Sequence, residues 1–336
     1  MLLRKINYPT RLAVLLLTVL TLSCSSGSDM VVLKLGHGMD SSHPVHKGMV
    51  HMAELVNEKS NGEMRIDIYT NEQLGTERET LELLQIGSLD LTKVSSAVME
   101  SFTPLYSIFG VPFLFVNDEH KYNVLDGPIG QRILQAGEPF RIVGLCYYDA
   151  GTRSFYTNDR PIRTPEDLRG MSIRVQESAT AIRMINTLGG SATPISWGEL
   201  YTALQQGVVG GAENNLPSFY LSRHYEVSKY LSMNEHTAPP DIMLISQHTW
   251  ENVLNEEQRG IVMEAARESV PYQRQLWQEA SREALLAIEA AGIEVVYPDR
   301  EPFMQASQPF YDNLKSQPEL HELMLEIQEA GLEFIN

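Results

Sequence analysis

The sequence predicts an α/β protein of two units that enclose a cleft, with a long C-terminal helix spanning both units. Short alternating strands and amphipathic helices follow one another twice, first from Val31 and again from about residue 151. From Glu256 to Ala291 helix formers dominate, interrupted by Pro271. The 336-residue chain is long enough for two hydrophobic cores.

The domain boundaries follow from the same pattern. We predict a signal peptide at 1–23, a first α/β domain at 24–150 and a second at 151–246. The segment 247–336 is predicted to form C-terminal helices that complete both domains. Tandem α/β units with strands passing between them form a cleft, which is the usual place for a small ligand.

The first 23 residues have the features of a secretory signal. They carry three basic residues and no acidic one, followed by the apolar run LAVLLLTVLTLS, which is too short to span a membrane comfortably. The run ends at Cys24, and Leu20, Leu22 and Ser23 before it suggest lipoprotein processing with acylation of Cys24. Simple secretion with loss of Cys24 remains the alternative. Both readings predict a periplasmic protein, attached to a membrane only through a lipid on Cys24.

The charge balance restricts the partners. The chain has 26 basic and 43 acidic residues, a net charge of −17, which becomes −20 when three basic residues leave with the signal peptide. Such a surface repels nucleic acid and anionic lipid headgroups. An anionic ligand would therefore need a sheltered patch of arginines. Cys146 in the apolar run IVGLCYY is expected to be a buried free thiol, so no disulfide framework supports the fold.

The first unit shows strand, helix and turn signals in order. An amphipathic helix ends at the turn Asn61-Gly62, and another begins after Thr76. The alternation predicts strands in VVLKLGHG, MRIDIYT and LDLTKVS and helices in HPVHKGMVHMAELVNEKSNG and TERETLELLQIG.

The second unit repeats this order. Thr164 can cap a helix whose first residue is Pro165, and Ser196 with Glu199 forms a predicted capping box at the start of WGELYTALQQG. Strands are predicted in MSIRVQ, SATPI, VVGG and LISQ, a helix in TAIRMINTLGG, and a polar turn in AENN. In the C-terminal third, Pro271 should kink the long helix or split it in two.

Two arginines lie in strand-like segments. In MSIRVQ, Met171, Ile173 and Val175 alternate with Ser172, Arg174 and Gln176, which share the other face. Arg153 lies in a second such segment, YYDAGTRSFYT. Two converging guanidinium groups match a carboxylate, because each presents a planar fork of donors. The alternative is that one arginine pairs with a nearby acid such as Asp149 or Glu177.

Other polar residues could face the same cleft. Asn214 and Asn215 offer neutral amides, although Asn also suits a turn, and Glu77 either accepts bonds from sugar hydroxyls or stabilises a helix N-terminus. His43 is expected at the mouth of the cleft, His46 on a helix surface and His236 between a strand and a loop. The H-x-x-H spacing is weak evidence for a metal, and no nucleophile elbow, phosphate loop, dinucleotide fingerprint or CxxC appears. The sequence predicts neither a metal nor another cofactor, and no catalysis.

Several motifs recur in order along the chain: NEQLGTERE, FGVPFLF, GTRSFYT, TPEDLRGMSIRVQ, GELYTALQQGVVGGAENN and the long C-terminal helix. With them the chain, from LKLGH to about AGLEF, resembles the extracytoplasmic solute-binding subunits of TRAP transporters, the DctP-like family. The resemblance implies a two-domain periplasmic-binding-protein fold with mixed sheets and hinge strands, and we expect a monomer. It implies that Arg174 pairs with a ligand carboxylate, that Arg153 and Asn214 support it, and that one small and one large membrane subunit use a sodium gradient.

A narrower resemblance is to family members that take up hexuronates. It rests on SSHPVHKGM, GTERE, LCYYDAGTRSFYT, PISWGELYTALQQG and ENNLPSFYLSRHYEVSKY followed by EHT. It implies D-glucuronate or D-galacturonate as ligand, with hydroxyls facing Glu77, His43, Gln176, Asn214, Asn215 and His236. The alternatives are a C4-dicarboxylate or sialic acid as ligand, a signalling receptor with the same site, and an extracytoplasmic lyase with His43 or His236 as base.

Overall fold

The structure, a computed structural model, describes residues 30–335. The predicted signal peptide and Cys24 lie outside the described residues. The strands are β1 (Val31–Gly36), β2 (Met64–Tyr69), β3 (Leu91–Ser95), β4 (Ile142–Tyr148), β5 (Arg153–Thr157), β6 (Ser172–Val175), β7 (Ser191–Pro194), β8 (Gly211–Asn214), β9 (Tyr230–Thr237), β10 (Asp241–Ser246) and β11 (Glu294–Val296).

Helices cover both sheets and form the C-terminal third. They are α1 (Pro44–Lys59), α2 (Glu77–Gln85), α3 (Ser96–Met99), α4 (Asp118–Asp126), α5 (Pro128–Gln135), α6 (Ala179–Thr187), α7 (Leu200–Gln205), α8 (Leu216–Leu221), α9 (Glu256–Ala290), α10 (Glu301–Ala306), α11 (Gln308–Leu314) and α12 (Pro318–Gly331). Within residues 30–335, no helix has both the length and the apolar character needed to cross a bilayer.

The strands form two mixed sheets, which confirms the predicted α/β class. The first sheet has the order β2-β1-β3-β10-β4 and the second β11-β9-β5-β8-β6-β7. In the first sheet β1 is parallel to β2 and β3, whereas β10 runs antiparallel between β3 and β4. In the second, β5 is antiparallel to both of its neighbours, β8 and β9.

Two short connections carry the chain from one sheet to the other. Residues 149–152 join β4 to β5, and residues 238–240 join β9 to β10. The segment 241–246, which the sequence-based boundaries assign to the second domain at 151–246, is therefore a strand of the first sheet. Alternation along LISQ shows that the segment is a strand, but it does not show which sheet the strand joins.

The helix α9 packs on both halves of the molecule, as predicted. Val262, Ala266 and Val270 belong to a core that covers the first sheet, whereas Ala284 and Ile288 belong to the core of the second. The helix continues through Pro271 without being split. Packing along its whole length compensates for the backbone hydrogen bond that proline removes.

The same helix fixes one of the two connections. The side-chain amide of Gln273 donates from Nε2 to the Asp149 carbonyl at 2.8 Å and accepts at Oε1 from the Asp149 N–H, also at 2.8 Å. Gln273 is fully buried. The chain therefore leaves the first sheet at a position tied directly to α9.

Two local predictions are wrong. The helix α7 begins at Leu200, and the Ser196 hydroxyl donates to the Glu199 carboxylate at 2.6 Å, so the predicted capping box does not form. Asn214 is the last residue of β8, not part of a turn, and only Asn215 follows the strand. The strand predicted in VVGG is also displaced: β8 begins only at Gly211, and its pairing with β5 covers Gly211–Asn214.

Candidate functional site

A cavity that is partly open to solvent lies between the two halves of the molecule. The strand ends at both connections and the N-terminal ends of α1, α2 and α8 contribute its walls. Of the eight residues that the sequence nominates for ligand contact, seven line it: His43, Glu77, Arg153, Arg174, Gln176, Asn214 and Asn215.

Arg174 is the cation of this cavity that has no acidic partner within residues 30–335. It lies in β6 and is 2% exposed. Its Nε donates to the Ile195 carbonyl at 2.9 Å and its guanidinium lies 6.0 Å from the Trp197 ring centroid, but its Nη1 has no partner in the described chain. Burial lowers the pKa of Arg174, so its positive charge is held at a cost. An anionic group in the cavity would offset that cost.

Arg153 differs, because it is already paired. Its guanidinium contacts the Glu213 carboxylate through Nε and through Nη2, the latter at 2.8 Å, and Nη2 also donates to the Glu213 carbonyl at 2.7 Å. The partner is thus neither Asp149 nor Glu177. Burial alone would raise the pKa of Glu213, but attraction to Arg153 outweighs burial and lowers the pKa to about 2. Arg153 and Glu213 together present little net charge to the cavity.

Sequence reasoning missed Glu213. Glu213 lies within AENN, from which the sequence-based prediction selects only Asn214 and Asn215 as ligand contacts. The sequence did contain one indication, because Glu213 is an acidic residue at the end of an apolar, strand-like segment. Arg153 lies in another strand-like segment and could therefore be its partner. The register of β5 and β8, which pairs Phe155 with Glu213, brings the two charges together.

Hydrogen bonds to neighbouring groups hold the two asparagines and His43 in place. Asn214 Oδ1 accepts from Arg153 Nη1 at 2.8 Å, and Asn215 caps α8 by accepting from the Ser218 N–H at 2.9 Å. His43 caps α1, and its Nε2 lies 3.3 Å from Ser218 Oγ. His43 is buried in the cavity wall, not placed at the mouth, and burial lowers its pKa to about 3, so it is neutral.

The opposite wall carries a cluster that the sequence did not reveal as a unit. Lys93 Nζ, on β3, donates to Glu77 Oε1 at 3.0 Å and to Asp241 Oδ1, on β10, at 3.2 Å. Burial would lower the pKa of Lys93, but the two carboxylates outweigh burial and raise it. Burial raises the pKa of Asp241 to about 6. Of this cluster the sequence nominates Glu77 alone, whereas Lys93 lies in the predicted strand LDLTKVS without being singled out.

Further hydrogen bonds, besides that between His43 and Ser218, join the halves across the cleft. Ser95 Oγ lies 3.4 Å from Gln176 Oε1, and the Gly198 N–H donates to Glu72 Oε1 at 3.3 Å. Burial raises the pKa of Glu72. The described conformation is therefore one in which the two halves already touch.

His236 does not line the cavity, in contrast to the sequence-based expectation. Its ring stacks on Phe155 with centroids 4.4 Å apart, its Nδ1 lies 2.9 Å from Asn234 Oδ1, and its Nε2 lies 3.6 Å from Glu213 Oε2. The side chain is fully buried. It lies in β9, next to β5, and therefore supports the Arg153–Glu213 pair from behind.

The chain is similar to known proteins along most of its length. The family model "DctP: Bacterial extracellular solute-binding protein, family 7" matches residues 35–317. An uncharacterised protein of Salmonella typhimurium is 40% identical over 322 residues, which is 95% of this chain and 97% of that protein.

Solved structures extend this similarity to the fold. A TRAP periplasmic solute-binding protein of Xanthobacter autotrophicus, solved with bound β-D-galacturonate, has a TM-score of 0.85 and 37% identity and covers 88% of this chain and 99% of its own. One of Anaerococcus prevotii, solved with bound D-glucuronate, has a TM-score of 0.87 and 36% identity, with 90% and 99% covered.

Proposed function

Since the chain belongs to the DctP family of bacterial extracellular solute-binding proteins, we propose that it is the solute receptor of a TRAP transporter and that it binds a hexuronate, D-glucuronate or D-galacturonate. The family consists of solute-binding proteins, so the activity is binding and not catalysis. The observation that carries the proposal is the buried guanidinium of Arg174, which faces the cavity without an acidic partner in the described chain.

The carboxylate of the sugar acid pairs with Arg174. Inside a closed cleft this ion pair is strong, because water is excluded and the local dielectric is low. Domain closure of the hinge type traps the ligand, and the two connections at 149–152 and 238–240 supply the hinge.

The hydroxyls of the sugar face the remaining polar side chains. The groups that we assign to this role are His43, Glu77, Gln176, Asn214 and Asn215. The guanidinium of Arg153 presents N–H donors to the ligand while it stays paired with Glu213. His236 contributes only through its contact with the Glu213 carboxylate. A buried hydroxyl without a partner would weaken binding, so this polar lining favours a ligand rich in hydroxyls.

Titration calorimetry of Arg174→Ala with glucuronate and galacturonate tests the proposal. Truncating one partner of a buried charge pair costs roughly 2–5 kcal/mol, which is about 30-fold to several thousand-fold in Kd. The matched control is Arg163→Ala, since Arg163 is exposed and pairs with Glu294 far from the cavity. Unchanged affinity in Arg174→Ala would remove Arg174 from the site and the proposal with it.

We further propose that the protein is a periplasmic monomer that delivers its ligand to one small and one large membrane subunit, and that a lipid on Cys24 anchors it. The sequence LTLSC supports the anchor. Intact mass of the mature protein tests it, because acylation adds the mass of the lipid to a chain that begins at Cys24. A mature chain that lacks Cys24 would contradict it.

A further inference from the structure

The cations of the cavity are unequally compensated. Arg153 is neutralised by Glu213, and Lys93 contacts both Glu77 and Asp241. The group Glu77, Lys93 and Asp241, which we call the acidic cluster, therefore carries two negative charges and one positive charge when both acids are ionised. Only Arg174, of the cations that line the cavity, has no carboxylate partner within residues 30–335.

The acidic cluster and Arg174 lie on different walls. Lys93 and Asp241 lie on adjacent strands of the first sheet, and Glu77 begins α2, whereas Arg174 lies on β6 of the second sheet. All four line the same cavity. A ligand that fills the cavity therefore contacts a single uncompensated cation on one wall and a net negative charge on the other.

We infer that the acidic cluster determines specificity by rejecting a second carboxylate, so that the site takes sugar acids with one carboxylate and excludes aldarates and other dicarboxylates. The inference rests on the proposed function and adds the class of ligand, the dicarboxylates, that the site excludes. A second carboxylate would meet like charge in a medium of low dielectric, with no cation left to pair with it. A hydroxyl at the same place can donate to a cluster carboxylate.

The charged groups that act on Asp241 are Lys93, Glu77 and Arg153. Lys93 is the one in direct contact, and it is shared with Glu77. Burial raises the pKa of Asp241 to about 6, so at pH 7.5 its carboxylate is ionised and the cluster is net negative. Measurements at pH 7.5 therefore test the charged form of the cluster.

Calorimetry with three ligands separates charge from shape. Galacturonate tests the proposed function, and galactonate and galactarate are open chains that differ only in the second carboxylate. We expect the wild-type protein to bind galactarate on the order of 100-fold more weakly than galactonate, since like charges placed together cost several kcal/mol. Asp241→Asn and Glu77→Gln each remove one negative charge. Each should lower the ratio of the galactarate Kd to the galactonate Kd by a factor of at least about 10.

The matched control is Glu82→Gln, the same chemical change on the same helix as Glu77 at an exposed position. It should leave the galactarate-to-galactonate ratio unchanged. The inference is overturned, with the function intact, if wild type binds galacturonate and binds galactarate as tightly as galactonate, or if neither amide variant changes the ratio. If wild type binds neither galacturonate nor glucuronate, the proposed function fails and the inference falls with it. If one variant does not fold, the other variant and the ratio of galactarate to galactonate Kd in the wild-type protein still test the inference.

Discussion

At the scale of single residues, the site depends on buried charges that are held in pairs. Moving an ion from water into the interior is costly, and removing one partner of a buried pair costs more than the pair contributes. Arg153 and Glu213 are both almost fully buried, with 6% and 2% exposure. Their pairing fixes Asn214, which accepts from Arg153, and leaves Arg174 as the cavity-lining cation without a carboxylate partner in the described chain.

The Glu213 carboxylate should make a large, pH-dependent contribution to stability. Its pKa is lowered from 4.5 to about 2 in the folded protein, so its stabilisation is fully present above about pH 4.5 and is lost as the pH falls toward 2. Glu213→Gln should lower the free energy of unfolding by roughly 3–5 kcal/mol at pH 7, because it leaves Arg153 buried without its counter-charge. Denaturant unfolding at several pH values should show this difference shrinking between pH 4.5 and 2.

An exposed ion pair provides the control. Arg78 and Glu82 are 3.3 Å apart on the surface of α2, so Glu82→Gln should cost less than about 1 kcal/mol at any of these pH values. A Glu213→Gln protein that matched Glu82→Gln at pH 7 would show that Arg153 does not need its partner.

The sequence predicts the residues whose signal is local and misses those whose role depends on a distant strand. Alternation in MSIRVQ identifies Arg174, and a strand-like context identifies Arg153. Asp241 carries no local mark and Glu213 only a weak one, because each acquires its role from strand pairing with residues far away in the chain. His236 is predicted between a strand and a loop, but it lies within β9, and only the packing against Phe155 shows that its ring faces the core.

At the scale of elements, the turn after β2 and the segment before α7 meet across the cleft. The Glu72 carboxylate accepts from the Gly198 N–H, and a Cβ at position 198 would lie 2.3 Å from Glu72 Oε2. Gly198→Ala should therefore displace Glu72 and weaken the contact that favours the closed form. We expect a loss of roughly 1–2 kcal/mol in uronate affinity by calorimetry, with the melting temperature of the ligand-free protein nearly unchanged.

The control for this substitution is Gly260→Ala. Gly260 lies in α9 with open space around its missing Cβ, so alanine should raise stability by up to about 1 kcal/mol through helix propensity and leave affinity unchanged. An unchanged affinity in Gly198→Ala would mean that the contact between Glu72 and Gly198 does not contribute to closure.

Capping signals predicted some element boundaries and not others. The helix that the sequence predicts after Thr76 begins at Glu77, and Thr76 and Glu79 satisfy each other's main-chain groups in a capping box. The capping box predicted at Ser196 does not form, because Gly198, two residues later, donates its N–H to Glu72 and the helix begins only at Leu200. Tertiary contact overrides a local signal at the cleft.

At the scale of the whole molecule, the two sheets are coupled through connections that run in both directions. The sequence predicts tandem α/β units and the helix that spans them, but not that Asp241–Ser246 returns to the first sheet between β3 and β4. The order of strands in a sheet depends on long-range pairing, which no local pattern encodes. The return bears on the inferred specificity, because it places Asp241 beside Lys93 at the cavity.

The net charge of the molecule opposes the capture of an anion, and this makes association sensitive to salt. The chain carries −17, whereas the attraction of Arg174 acts only at short range inside the cleft. Raising the ionic strength from 10 to 150 mM shortens the screening length from roughly 30 Å to roughly 8 Å, which removes the distant repulsion and leaves the buried pair almost unscreened. The association rate constant of glucuronate should therefore rise a few-fold, while its dissociation rate constant changes little. Stopped-flow fluorescence can follow both rates, since Trp197 lines the cavity. An association rate that falls with added salt would mean that the arginines at the cleft, and not the acidic surface, dominate the field that an approaching uronate meets.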